Sequence, residues 1–239
     1  MGIDVLGVQF DNITLTEAVE AGSACAAEGF HYVVTPNPEL VNLARADAHY
    51  RALLNGAAMI LPDGVGILYA SRLLGRPLRQ RVPGIDFASG LLSALERDGR
   101  RLFLLGAKPG IAEQAAANLQ REHPALILCG TQHGYFTSDA PVVRAIRASR
   151  ADVVFVCLGA PRQELWMAEH GPDTGAHLMV GLGGALDVFA GAVRRAPVSW
   201  QRMGLEWLYR LLSQPSRLGR AAKLPLFLVS AVGARIKGE

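Results

Sequence analysis

The sequence predicts an α/β chain: a doubly wound, mostly parallel sheet with helices on both faces, plus a helical C-terminal appendage. Three observations predict it. Short apolar runs alternate with helix-length segments through most of the chain. Helix-start signals sit directly after several of those runs. Beyond Arg195-Ala196-Pro197 the pattern turns helical only. Strand–helix alternation favours a parallel sheet, because each parallel crossover needs a covering helix.

Taken in order, the first apolar run is Val5–Phe10. Thr14-Leu15-Thr16-Glu17 then fits a capping box, in which the Thr side chain and the Glu three residues on satisfy each other's backbone N–H. Tyr32–Val34 is the next run, followed by Asn37-Pro38, a capping Asn before a Pro at the first helical position. Ala58–Leu61, Arg101–Leu105, Leu126–Cys129, Val153–Leu158 and Leu178–Val180 continue the series. Ala112–Glu122 is rich in helix formers. In Trp200–Leu212 the apolar residues Trp200, Met203, Trp207, Leu208, Leu211 and Leu212 fall on one helical face, and Pro215 stops the pattern. The stretch Leu224–Ala234 is apolar between Lys223 and Arg235. It is too short to span a bilayer, but an interfacial helix with basic ends suits it.

With 239 residues, half of them hydrophobic and only 19% charged, the chain buries a substantial core and is not disordered. The expected division is a catalytic domain over 1–196 and a basic appendage over 197–239. No segment has transmembrane length, and the start Met1-Gly2-Ile3-Asp4 lacks the features of a signal peptide. Cys25, Cys129 and Cys157 are odd in number and form no CxxC, the usage of buried, reduced thiols in a cytoplasmic protein. Charge is uneven. Residues 200–239 carry seven basic and two acidic residues, a net of +5, which leaves −2 for the rest of a chain of formal charge +3. A basic, apolar tail on a nearly neutral body points to an anionic partner of the tail.

Candidate chemistry gathers where strands end. In open α/β sheets, ligands bind outside the carboxyl ends of the strands. Tyr32–Val34 empties into Thr35-Pro36-Asn37-Pro38-Glu39, and Ala58–Leu61 into Pro62-Asp63-Gly64-Val65-Gly66. An Asp-Gly pair alone reads as a turn, but Thr35, Asn37 and the loop Arg81-Val82-Pro83-Gly84-Ile85-Asp86 are its companions. A lone carboxylate in such a cleft suits a general base. Gly159-Ala160-Pro161-Arg162-Gln163-Glu164 lets a backbone turn approach a ligand at a helix start, where anions bind. Gly181-Leu182-Gly183-Gly184-Ala185-Leu186-Asp187 is half a dinucleotide fingerprint, with Leu186 where the last Gly belongs. A nucleotide against this backbone would have Asp187 near its ribose or base. Gly106, in Leu105–Gly110, is a weaker strand-end candidate of the same kind. Several signatures are missing: no Asp-x-Asp pair, no HExxH, no Cys₂His₂ set, no GxxxxGK[ST] and no GxSxG. No metal and no cofactor is therefore expected, and Arg side chains and backbone N–H groups must meet the charge of any departing diphosphate.

These motifs, with Arg194-Arg195-Ala196-Pro197 and Glu206-Trp207-Leu208-Tyr209-Arg210, resemble the WecG/TagA/CpsF glycosyltransferases (glycosyltransferase family 26) in order and spacing over nearly the whole chain. The resemblance implies a metal-independent, inverting transfer of a sugar from a UDP-sugar to a sugar on a polyprenyl-diphosphate lipid. The sugar would be N-acetylmannosamine, its uronic acid, glucose or similar, and the product would feed cell-surface polysaccharide. It implies work at the cytoplasmic face of the bacterial membrane, with the basic appendage docking there, and no nucleic-acid partner. It makes Asp63 the base, Thr35 and Asn37 pocket-lining polar groups, Arg81 an essential cation and Gln163 a contact to the sugar. Gly64, Gly106, Gly159, Gly183, Gly184 and Asp187 belong to the substrate-binding set. Arg210, Arg217 and Arg220 are expected near the diphosphate or lipid head groups. Arg162 stands where many relatives carry Lys, and Val82-Pro83 departs from the commoner small-residue spelling after Arg81. A doubly wound oxidoreductase and a non-enzymatic nucleotide-sugar-binding protein are the alternatives, and a homo-oligomer through the apolar tail is left open.

Overall fold

The computed structural model describes residues 2–206, 208–209 and 223–237. Its strands are β1 (Gly2–Val5), β2 (Val8–Asp11), β3 (His31–Val34), β4 (Met59–Ile60), β5 (Arg101–Gly106), β6 (Ile127–Gln132), β7 (Val153–Cys157) and β8 (Leu178–Gly181). Its helices are α1 (Leu15–Cys25), α2 (Pro38–Ala46), α3 (Ala48–Asn55), α4 (Val65–Leu73), α5 (Gly84–Asp98), α6 (Ile111–Glu122), α7 (Asp139–Ser149), α8 (Arg162–Thr174), α9 (Ala185–Phe189), α10 (Val198–Arg202) and, after the gap, α11 (Lys223–Lys237).

Six strands form one sheet in the order β4-β3-β8-β7-β5-β6, and every pairing is parallel. Because side chains alternate along a strand, each central strand feeds two cores. Val154 and Val156 of β7 face one core, with α2, α3, α4, α7, α8 and α11. Val153, Phe155 and Cys157 face the other, with α1, α5, α6 and α9. Near-continuous apolar runs are thus what a sheet covered on both faces demands. Each fully buried Leu or Phe in these layers contributes about 1.5–3 kcal/mol.

The predicted local signals form as read. Thr14 and Glu17 complete the capping box, with Glu17 N–H donating to Thr14 Oγ1 at 3.3 Å and Thr14 N–H to Glu17 Oε2 at 2.7 Å. Asn37 caps α2, its Oδ1 accepting from Glu39 N (2.8 Å) and Leu40 N (3.3 Å).

Three expectations change. The run Val5–Phe10 is not one strand. The chain reverses at Leu6-Gly7, both with positive φ (56° and 91°), and makes an antiparallel hairpin apart from the main sheet; two left-handed residues give the turn that matches strand twist. The helix expected over Trp200–Leu212 is interrupted, because Gly204 takes φ 71° after α10 and the chain is helical again only at Glu206. Within it, Trp200 meets Tyr209 edge to face at 5.8 Å. Of the three free thiols, only Cys157 is buried and the other two are half-buried. Burial pushes the Cys157 thiol up to about 12.

Candidate active site

The carboxyl ends of β4, β3, β8, β7 and β5 lie side by side, so their loops build one rim. Thr35 follows β3, and its hydroxyl donates to Gly181 O at the end of β8 (3.1 Å). Gly84, opening α5, packs so closely on Thr35 that an added Cβ would lie 3.2 Å from both Oγ1 and Cγ2. Asp63 and Gly64 leave β4. Gly64 takes φ 89°, and a Cβ there would meet Pro38 Cδ at 3.6 Å and Asn37 Cβ at 3.8 Å, so this turn rests on the start of α2. Val82 N–H donates to Pro62 O (2.9 Å), which ties the Arg81 loop to the Asp63 loop. The structure therefore places Asp63, Thr35 and Asn37 at adjacent strand ends and Arg81 in the α4–α5 connection tied to them, all half-buried.

Gln163, expected to contact the sugar from the first turn of α8, is turned inward. It is 3% exposed, and both ends of its amide are engaged. Oε1 accepts from Gly183 N–H (2.9 Å), and Nε2 donates to Glu164 Oε1 (2.6 Å). Glu164, fully buried, accepts in turn from the Tyr50 hydroxyl (3.2 Å). Burial raises the Glu164 carboxyl above its ordinary range, and burial together with the neighbouring Glu164 charge raises the Tyr50 hydroxyl. Gln163 therefore reaches the rim through the backbone of Gly183 rather than by its own surface.

The glycines divide into two kinds. Gly106 has φ 129°, and a Cβ would sit 2.3 Å from Cys157 O, so its missing side chain lets the ends of β5 and β7 meet. Gly159 (φ 76°) and Gly183 (φ 56°) have nothing within 4 Å of a Cβ and leave open space at the rim. Gly184 precedes α9, with Asp187 Oδ2 at 3.7 Å from its would-be Cβ. Helices α4, α5 and α8 all start without a side-chain cap. Their first N–H groups, at the positive end of each helix dipole, favour an anion.

Arg81 carries a connection that sequence reasoning missed. Its Nη2 donates to Glu206 Oε2 at 2.9 Å, Arg195 Nε donates to Glu206 Oε1 at 3.3 Å, and Arg195 Nη1 donates to Asp86 Oδ1 at 2.5 Å. Burial opposes the Arg195 charge, but the Asp86 and Glu206 carboxylates outweigh it and hold its pKa above the usual value. Arg195 Nη2 is buried with no hydrogen-bond partner among the described residues. The sequence signal was there: Asp86, Arg195 and Glu206 all lie in quoted motifs, yet had no role assigned to them. Arg210, Arg217 and Arg220 lie outside the described residues. Among those residues, no group of three or more His, Cys, Asp or Glu gathers as a metal site, and no helix is long and apolar enough to cross a membrane.

Comparison with known proteins covers nearly the whole chain. Residues 3–239 match the profile described as the glycosyl transferase WecG/TagA/CpsF family. Among curated relatives, three proteins of Staphylococcus aureus (strains MW2, NCTC 8325 / PS 47 and MRSA252) are each 37% identical to the chain over 98% of its length and 94% of theirs. All three are described as N-acetylglucosaminyldiphosphoundecaprenol N-acetyl-beta-D-mannosaminyltransferases.

Proposed function

From a chain that belongs to the WecG/TagA/CpsF family of glycosyltransferases, we propose a transferase that moves a sugar of the N-acetylmannosamine kind from a UDP-sugar to a sugar on a polyprenyl-diphosphate lipid. The observation that carries this reading is that Asp63, Thr35 and Asn37 stand at adjacent strand ends, with the Arg81 loop tied to the Asp63 loop, beside uncapped helix starts.

In this reading the Asp63 carboxylate takes the proton of the acceptor hydroxyl. The freed oxygen attacks the anomeric carbon as the bond from that carbon to the UDP oxygen breaks, inverting the centre. UDP leaves as an anion. Its charge falls to Arg81 and to first-turn N–H groups of the uncapped helices α4, α5 and α8, oriented before the reaction and so costing little reorganisation. Thr35 holds the Gly181 turn that Gln163 holds from the other side. Asp187, Gly159 and Gly184 border the donor. Arg210, Arg217 and Arg220 supply positive charge for the lipid diphosphate in this reading. The catalytic unit is 1–196, and the appendage over 197–239 meets the cytoplasmic face of the membrane. Supporting this, α11 buries Phe227, Ala231 and Ala234 against the body and exposes Leu226, Val229 and Ile236.

The test is transfer from a panel of UDP-sugars to a synthetic polyprenyl-diphosphate N-acetylglucosamine, with and without EDTA. Asp63→Asn should lose on the order of 10²–10⁴ in turnover while UDP binding by calorimetry persists. Wild-type turnover in that variant removes Asp63 from the chemistry.

A further inference from the structure

A cavity of about 440 Å³ opens between the β1–β2 turn, the far ends of α2 and α4, and α11. Helices α2 and α4 both begin at the rim. Nine-residue helices carry their last turns about 12 Å away from it, so this cavity is separate from the candidate active site. Its size lies within the range of small-ligand sites.

Its charge is predominantly positive: three arginines line it against one carboxylate, Asp4. Arg45, in the last turn of α2, Arg51 of α3 and Arg76 after α4 all line it. None of the three guanidinium groups is paired with a carboxylate among the described residues. A fourth, Arg235 of α11, lies against Gly75, between the lining residues Leu74 and Arg76; its guanidinium fills the space a Gly75 Cβ would need. The nearby acids are already engaged. Asp4 accepts from Gly7 N (3.1 Å) and Gln9 Nε2 (2.6 Å), and Asp47 caps α3 through His49 N and Tyr50 N. Three unpaired cations around one concavity favour an anion with several acceptor oxygens, and phosphate matches the guanidinium fork.

The remaining wall says where the phosphate comes from. Ser230, Gly233 and Ala234 bring α11 to the cavity. Val229 and Ile236 lie four residues before and three after Gly233, so they share its side of the helix, and they are 68% and 81% exposed. A cationic pocket edged by an exposed apolar stripe fits a ligand with a phosphate head and an acyl tail. We propose that the Arg45–Arg51–Arg76 cavity is a saturable binding site for the headgroup of an anionic glycerophospholipid, distinct from the substrate lipid. The inference rests on the reading that α11 meets the membrane.

Two variants test it with different failure modes. Arg45→Gln/Arg51→Gln/Arg76→Gln removes the cations. Gly233→Phe fills the cavity and keeps every charge; a Cβ at Gly233 meets nothing within 4 Å. Binding is measured to phosphatidylcholine vesicles with and without phosphatidylglycerol, and by NMR titration with dihexanoyl-phosphatidylglycerol and with inorganic phosphate. The triple variant should lose about 100-fold in affinity for the phosphatidylglycerol vesicles, roughly a factor of five per Arg near an anionic surface. Gly233→Phe should lose the saturable shifts seen with dihexanoyl-phosphatidylglycerol. Wild-type binding by the filled variant overturns the site, because it leaves only diffuse attraction. Inorganic phosphate binding as tightly as the short-chain lipid overturns the lipid assignment. Transfer to a water-soluble acceptor, assayed in parallel, should be equal in all three proteins. Its absence from all of them counts against the glycosyltransferase reading and leaves the lipid-binding result standing.

Discussion

Replacing Glu206 with Ala is the sharpest probe of how the segment after Pro197 is joined to the rest of the fold. Glu206 accepts from Arg81 at 2.9 Å and from Arg195 at 3.3 Å, and the three side chains are only 10%, 18% and 22% exposed. Exposed pairs are worth about 0–1 kcal/mol. Removing one partner of a fully buried pair costs about 3–5 kcal/mol, chiefly because the other charge is stranded. At this partial burial, with Arg81 stranded and Arg195 left with Asp86, about 2–3 kcal/mol is expected. A double-mutant cycle with Arg81→Ala isolates the shared part, and residues in direct contact should couple by about 1–2 kcal/mol. Urea unfolding of the four proteins, followed by tryptophan fluorescence, gives the cycle. Hydrogen exchange should show amides of α10 and α11 losing protection before those of β7. A coupling under about 0.5 kcal/mol, or α11 protection unchanged in Glu206→Ala, would refute the view that this carboxylate clamps the two parts together.

The buried Glu164 gives a pH prediction. Burial raises its pKa in the folded state, so its favourable contribution is complete below the unfolded value of about 4.3 and is lost as pH rises through the raised folded value. Glu164→Gln has no proton to lose. Its carbonyl can still accept from Gln163 Nε2 while its amide donates to the Tyr50 oxygen, so its stability relative to wild type should climb from pH 4 to pH 8 in thermal melts, and a flat difference removes the argument. The two kinds of glycine should separate cleanly. Gly106→Ala must push a Cβ into the Cys157 carbonyl and should cost about 3 kcal/mol or more, the scale of strain at a special backbone conformation. Gly183→Ala meets open space, so calorimetry should find a fold weakened by only about 1 kcal/mol but UDP binding impaired. Equal stability losses would undo the distinction.

Much of the architecture was legible because parallel strands buried on both faces write themselves as unbroken apolar runs, as in Val153–Cys157. The capping signals at Thr14 and Asn37 were legible because they act within three residues. The hairpin at Leu6-Gly7 was not, since a Leu at φ 56° gives no turn signal. The break at Gly204 hides because the apolar spacing of Trp200, Met203 and Trp207 still reads as one face. Among the candidate residues, those in strand-end loops stood out by composition. Gln163 did not: sequence places it in the first turn of α8, but only packing shows it turned inward onto Glu164 and Gly183. Glu206 was hidden by distance, as 125 residues separate it from Arg81.

That separation carries a consequence for the charge of the rim. Arg81, Arg195, Glu206 and Asp86 form a chain of two cations and two anions, neutral in sum. A guanidinium already satisfied by a carboxylate offers little to an arriving diphosphate, because the gain from one partner is offset by the loss of the other. Arg81 becomes an effective cation toward substrate only to the extent that Glu206 turns wholly to Arg195, whose buried Nη2 has no partner among the described residues. The carboxylate has the reach to do so, since its two oxygens already divide between the two cations. Glu206 comes from the segment after Pro197, whereas Arg81 and Asp86 come from the body. Glu206 thus ties the segment after Pro197 to the charge of Arg81, whose loop is joined to that of Asp63 by the Val82 N–H to Pro62 O bond.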